Sequence, residues 1–264
     1  MLQYASSQPI SRLPQRCAAP APPTLLARDR YALFLDLDGT LLEHAPHPRA
    51  VAADAPLLRL LQTLTRRFGG ASALVSGRSI EAVDALLAPL RLPVSGLHGF
   101  ERRSASGAHT HHALPSLPAL ANARRLLAQV VALDPRIRFE DKRFAVALHY
   151  RQRPELETMI VDAARSIAAR VGGGLELLLG PMVVELTPRG VSKASAVGEF
   201  MREPPFLGRC PVFVGDDIND ELAFEWVNAV GGLSVAVNPT AATAAATRLR
   251  SVREVRSWLL GVAG

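Results

Sequence analysis

Three short apolar runs, at residues 31–35, 71–75 and 211–214, each stop at a polar cluster, and segments of helical periodicity lie between them. The clusters are Asp36-Leu37-Asp38-Gly39-Thr40, Ser76-Gly77-Arg78 and Gly215-Asp216-Asp217. Runs of four or five apolar residues without alternation read as strands buried on both faces. Residues 55–68, 80–87, 191–201 and 217–227 place apolar side chains at i, i+3, i+4 spacing, with Gly69-Gly70 as a stop signal. Alternation of this kind predicts an α/β fold with a doubly wound parallel sheet. Such sheets bind ligands beyond the carboxyl ends of their strands, so Asp36, Asp38, Ser76 and Asp216 are predicted to share one crevice.

The middle of the chain follows another order. Helical periodicity at 117–133 and 154–171 is each time followed by two strand-like runs, at 137–140 and 145–150, then at 175–179 and 182–186. A Gly180-Pro181 turn between the last two runs is a hairpin signal, which predicts antiparallel neighbours. Residues 112–187 therefore read as an α+β domain, a lid inserted into a core made of 29–111 and 188–264. Both halves of the lid share one element order, with no residue-level repeat to support a duplication.

The 264 residues allow one large domain or two small ones, and 48% apolar with 20% charged residues is the balance of a folded globular chain. No run approaches 18 apolar residues, so no membrane-spanning helix is predicted. Residues 1–28 hold five prolines and no acid and read as a disordered tail. Their arginine and serine content resembles a transit peptide, but the prolines would break the amphipathic helix that such a peptide needs. Cys17 and Cys210 supply neither a disulfide framework nor paired zinc ligands, which fits a cytoplasmic setting. The net charge of +6 raises nucleic-acid binding as a question. Only Lys142 and Lys193 are lysines, and the arginines are scattered with no five-residue basic block, so no nucleic-acid partner is expected.

The pair Asp36 and Asp38 at a strand end, followed by a glycine turn, puts two carboxylates near one point. Such a pair serves hard-cation ligation, nucleophilic attack or acid/base work, or else forms a simple Asx turn. Asp-x-Asp-Gly-Thr arises by chance at roughly one site in 10⁵. Ser76 offers a hydroxyl and a backbone N–H to a phosphoryl oxygen, Lys193 a compact positive charge, and Asp216 a further oxygen for a Mg²⁺ site. His109, His111 and His112 lie in a loop-like stretch without a carboxylate or cysteine at ligand spacing and are left out of the site.

In chain order, DLDGT at 36, SGR at 76, Lys193 and GDDIND at 215 resemble the four motifs of the haloacid dehalogenase superfamily of phosphotransferases. Within it, VSGR (75–78), GLHGFE (96–101), DKRFAVALHYR (141–151), ELTPRGVSK (185–193) and VGDDINDE (214–221) resemble the trehalose-6-phosphate phosphatase family. The resemblance implies a haloacid-dehalogenase-like core with a cap. It also implies Mg²⁺-dependent hydrolysis of trehalose 6-phosphate through an aspartyl-phosphate on Asp36, with Asp38 as general acid and then base. Ser76 and Lys193 would complete the catalytic set, and Mg²⁺ would be held by Asp36, the Asp38 carbonyl oxygen and Asp216. Asp217 and Asp220 would orient Lys193 or metal-bound water, or serve as helix N-terminal acids. Gly77, Arg78, His98, Lys142, His149, Arg151 and Glu185 would meet a small-molecule sugar phosphate. Alternation along 145–151 puts His149 and Arg151 on one strand face. Two residues depart from the family pattern, Asn219 where threonine is usual and Ala194 where glycine is; both bear on substrate preference. A phosphatase for another sugar phosphate and a non-catalytic sugar-phosphate-binding module remain as alternatives.

Overall fold

The computed structural model describes residues 27–44, 51–112, 116–141, 145–172, 174–180, 182–239 and 243–264. Cys17, Lys142, Pro181 and nearly all of the expected tail lie outside them. The elements run β1 (Tyr31–Leu35), α1 (Ala55–Arg67), β2 (Ser72–Val75), α2 (Ile80–Leu87), β3 (Val94–Gly96), β4 (Glu101–Arg103), β5 (His109–His111), α3 (Leu117–Val131), β6 (Arg138–Asp141) and β7 (Val146–His149). They continue with α4 (Glu157–Val171), β8 (Leu175–Gly180), β9 (Val183–Pro188), α5 (Lys193–Phe200), β10 (Cys210–Gly215), α6 (Glu221–Ala229), β11 (Leu233–Val237), β12 (Thr247–Leu249) and α7 (Val252–Ala263). Among the described residues, no helix is long and apolar enough to cross a membrane.

Eight strands form one sheet in the order β12-β11-β10-β1-β2-β3-β4-β5. The strands from β12 to β3 are parallel, as the alternation predicts, and β4 and β5 add an antiparallel edge. β1 is central and buried along its whole length, which explains its unbroken apolar sequence. Leu35 stands opposite both Leu74 of β2 and Val214 of β10, so three strands end nearly level. α1 starts where Asp54 accepts from the Leu57 N–H at 2.9 Å. It buries Leu57, Leu60, Leu61 and Leu64, one stripe at helical spacing. The chain then turns out of the helix at Gly69 and Gly70, both with positive φ.

A second sheet, β6-β7-β9-β8, is antiparallel throughout. Its strands and the helices α3 and α4 bury their own apolar cluster, including Leu127, Val146, Leu148, Ile160, Val184 and Leu186. Side chains alternate along a strand, so Ala147, His149 and Glu185 stand on the sheet face opposite Val146, Leu148, Val184 and Leu186.

Several expectations need correction. His109–His111 is strand β5, not loop: it pairs with β4, and the His111 ring stacks on Phe100 at 6.2 Å between centroids. That register is set by the neighbouring strand, which no local hydrophobic pattern announces. The helix expected from residue 191 starts at Lys193, because Ser192 and Ser195 close a capping box. α6 starts only at Glu221, after a 3-10 turn at Ile218–Asp220. Arg151 lies in a turn past the end of β7 rather than on the strand face with His149.

A buried ion pair joins the antiparallel edge to α2. The buried Arg103 of β4 donates to both Asp84 carboxylate oxygens on α2, each at 2.7 Å. Hydrogen bonding from Arg103 holds the Asp84 carboxyl below its ordinary range. A depressed carboxyl stabilises the fold fully above its unfolded pKa of about 4, and that contribution disappears as pH falls through the lower folded value. Asp84→Asn is expected to cost about 1.5–3 kcal/mol at pH 7 in urea unfolding, shrinking toward pH 3. A cost that stays constant across that range would contradict this assignment.

Candidate active site

Beyond the level strand ends, the chain leaves β1 at Asp36, β2 at Ser76 and β10 at Asp216. The Asp36 N–H donates to the Val214 carbonyl at 2.9 Å, which continues the parallel pairing into the site. Two glycines allow the acids to gather. Gly39 has φ +79°, and a Cβ there would lie 1.9 Å from Asp216 Oδ2. A Cβ on Gly215 would lie 2.4 Å from the Asp220 carboxylate.

Lys193 is the first residue of α5, and only 3% of its side chain is exposed. Its Nζ donates to Asp220 Oδ1 at 2.6 Å and lies 3.0 Å from Asp36 Oδ1. The other oxygen of Asp220 accepts from the N–H groups of Asp216 and Asp217, both at 3.0 Å. Asp220 is thus fully committed, and it holds the ammonium against Asp36. Burial works against the charge on Lys193, yet the Asp220 and Asp36 carboxylates outweigh it and raise its pKa, so it stays charged. Burial pushes the Asp36 carboxyl well up; Lys193 opposes this, while Asp220 and Asp216 add to it.

Thr40 links two of the acids. Its hydroxyl lies 3.4 Å from Asp36 Oδ2 and 3.3 Å from Asp216 Oδ1. The second oxygen of Asp216 lies 2.9 Å from His44 Nε2, and this hydrogen bond lifts the His44 imidazole above its ordinary pKa. Oxygens of Asp36, Asp216 and Asp220 lie within 4.8 Å of one another. With Asp220 spent on Lys193 and two amides, Asp36 and Asp216 remain as crowded oxygen donors. A hard divalent cation held by one or two carboxylates fits this donor set, and its charge would offset the burial and the neighbouring carboxylates that raise Asp36.

Asp38 points elsewhere. Arg78 grips it with two hydrogen bonds, Nε to Oδ2 at 2.6 Å and a terminal nitrogen to Oδ1 at 2.7 Å. The sequence suggested Arg78 for substrate; the fold places it on Asp38. Ser76 is buried, and its Oγ accepts from the Arg78 N–H at 3.1 Å. Gly77 lets the His98 ring approach, since a Cβ there would sit 2.7 Å from the imidazole. Asp217 accepts from Ile218 N–H and the Asn219 amide and does not reach Lys193, so of the two expected orienting acids only Asp220 meets it.

From the second sheet, Glu185 of β9 is buried and reaches to 3.6 Å from His98 Nε2. A cavity of about 140 Å³ opens there, lined by Leu177–Leu179 of β8 on one side and Lys193, Ile218 and Leu222 on the other. His149 pairs at 2.7 Å with Glu140 of β6, which lies within electrostatic reach of Arg78. Arg151 is exposed and acts at a distance on His44. Lys142 lies outside the described residues. Thr40, His44 and Glu140 are the site-proximal residues that the sequence reading did not select. Thr40 stood inside the Asp-x-Asp-Gly-Thr motif; His44 and Glu140 carried no local signal.

Residues 34–253 match the family model described as trehalose-phosphatase. The chain is 46% identical over 233 residues to the trehalose-6-phosphate phosphatase of Escherichia coli (strain K12), covering 87% of this chain and 85% of that protein. Among solved structures, it superposes with TM-score 0.67 on a trehalose-6-phosphate phosphatase related protein, at 29% identity and with 88% of this chain and 96% of that one covered. It shares its fold with a haloacid dehalogenase-like hydrolase from B. subtilis, with TM-score 0.61, 16% identity and coverage of 86% and 98%.

Removing one partner of a buried ion pair leaves the other charge unpaired. Lys193→Met is therefore expected to lower the unfolding free energy by about 3–5 kcal/mol in urea titration. Adding Asp220→Asn in the same chain should recover part of that loss, and a strictly additive double variant would contradict the pairing.

Proposed function

The chain belongs to the trehalose-phosphatase family, and from that premise we propose that it hydrolyses trehalose 6-phosphate to trehalose and phosphate, with Asp36 as nucleophile and Mg²⁺ as cofactor. The observation that carries the chemistry is the buried Lys193 bridging Asp36 and Asp220 beside Asp216. An Asp36 oxygen attacks phosphorus as the bond to the sugar oxygen breaks, and Asp38 gives that oxygen its proton. Water then attacks the aspartyl-phosphate with Asp38 as base, releasing phosphate and restoring Asp36. This splits one difficult displacement into two easier ones.

Each neighbour has a task in that sequence. Lys193 keeps the Asp36 carboxylate in place and offers positive charge to the phosphoryl oxygens. Ser76 binds a phosphoryl oxygen through its hydroxyl. Asp38 has to leave Arg78 to meet the departing oxygen, so Arg78 holds the acid/base in reserve between turnovers. Asp36, Asp216 and the Asp38 carbonyl oxygen would hold the cation, which supplies charge neutralisation between the carboxylate and the incoming phosphate.

The sugar is read at the junction of the two sheets. Leu179 on the hairpin, and Ile218 and Leu222 on the core, are exposed apolar side chains that line one cavity with His98 and Lys193. An apolar wall with a few polar groups suits a sugar ring, and Glu185 and His98 supply hydrogen-bonding groups beside it. The resemblance also assigns Lys142, His149 and Arg151 to the sugar phosphate.

Phosphate release from a panel of sugar phosphates, with and without Mg²⁺, tests the reading. Trehalose 6-phosphate should be preferred, EDTA should stop turnover, and Asp36→Asn should abolish it. Mg²⁺-dependent release from a different sugar phosphate would overturn the substrate, and binding without turnover would favour a non-catalytic module.

A further inference from the structure

The turn after β1 folds the chain back over its own strand end. The N–H groups of Leu41 and Leu42 both donate to the Leu37 carbonyl at 2.9 Å, and that of Gly39 donates to the Leu42 carbonyl at 2.7 Å. This reversal delivers His44, eight residues past Asp36 in sequence, onto the outer oxygen of Asp216. The approach depends on Gly39, where a Cβ would stand 2.5 Å from His44 Nε2.

We propose that His44 is a positioning residue that fixes the Asp216 carboxylate in the orientation needed to bind the divalent cation. The inference rests on the reading of Asp36 and Asp216 as cation ligands. The two oxygens of Asp216 are held unequally: His44 binds Oδ2 at 2.9 Å, whereas the Thr40 hydroxyl reaches Oδ1 only at 3.3 Å. An ionised carboxylate has about four lone-pair sites, so two donors leave room for a cation while removing side-chain rotation. Hydrogen bonds of this kind to ligating carboxylates orient the ligand and raise affinity.

The His44 side chain is 58% exposed, so its removal should leave the fold intact. Asp216, at 12%, is well covered, so its place at the strand end should hold while its carboxylate loses the donor that orients it. The effect therefore belongs to the cation, and binding is the direct readout. Mn²⁺ serves as probe, titrated into the full chain without substrate and followed by electron paramagnetic resonance. His44→Ala is expected to weaken Mn²⁺ binding about 10- to 100-fold, with its urea midpoint unchanged. His44→Gln keeps an N–H donor at similar reach and should restore most of the affinity.

Equal or tighter Mn²⁺ binding by His44→Ala would overturn the proposal, because His44 would then be a bystander or a competitor of the cation. Failure of His44→Gln to restore a lost affinity would overturn it too, since the donor would not be what matters. Absence of Mn²⁺ binding by the unaltered chain would overturn the cation reading itself, and this inference with it.

Discussion

A single ammonium, that of Lys193, is enclosed among carboxylates, and the surrounding chain is arranged to keep it there. Burying a charge is costly unless its partners and their remaining hydrogen bonds are supplied. Here Asp220 and Asp36 are the partners, and Asp220 is tied down by the amides of Asp216 and Asp217. Ser192 caps α5 so that its first residue enters the crevice, and Gly215 leaves room for Asp220 behind it. Lysine suits the position because its compact charge meets two acids in a space where a planar guanidinium would need a fork of acceptors.

Once that charge is placed, the other acids divide their roles. Asp36 is left buried beside the ammonium, Asp216 stays next to it, bridged through Thr40, and Asp38 is kept apart by Arg78. The acids are thus gathered at the strand ends of the eight-stranded sheet, where level registry fixes them. The second sheet brings Glu185 to His98 and closes a small apolar cavity over Lys193, where we propose that the sugar is recognised.

Much of this was legible in the sequence. The apolar runs at β1, β2 and β10 end at polar clusters, and parallel sheets collect such clusters by topology alone. The helix-strand-strand order of the inserted domain was likewise visible from periodicity. What escaped is set by contacts across the chain. The β4–β5 hairpin, with its His109–His111 edge, takes its form from pairing with β3, and no apolar alternation marks it. Arg78 binding Asp38 and His44 binding Asp216 depend on side-chain directions at turns, which spacing does not encode. Glu140 was hidden because its partner His149 lies on another strand.

The account centres on Asp36 accepting the phosphoryl group within the Lys193 cluster. The most direct measurement is acid quenching of Asp38→Asn during turnover of trehalose 6-phosphate, followed by mass spectrometry of the peptides. Slowed breakdown of the intermediate in that variant should leave a phosphoryl group on the peptide containing Asp36. Phosphate released with no phosphopeptide at Asp36, or with the group on another residue, would contradict the account.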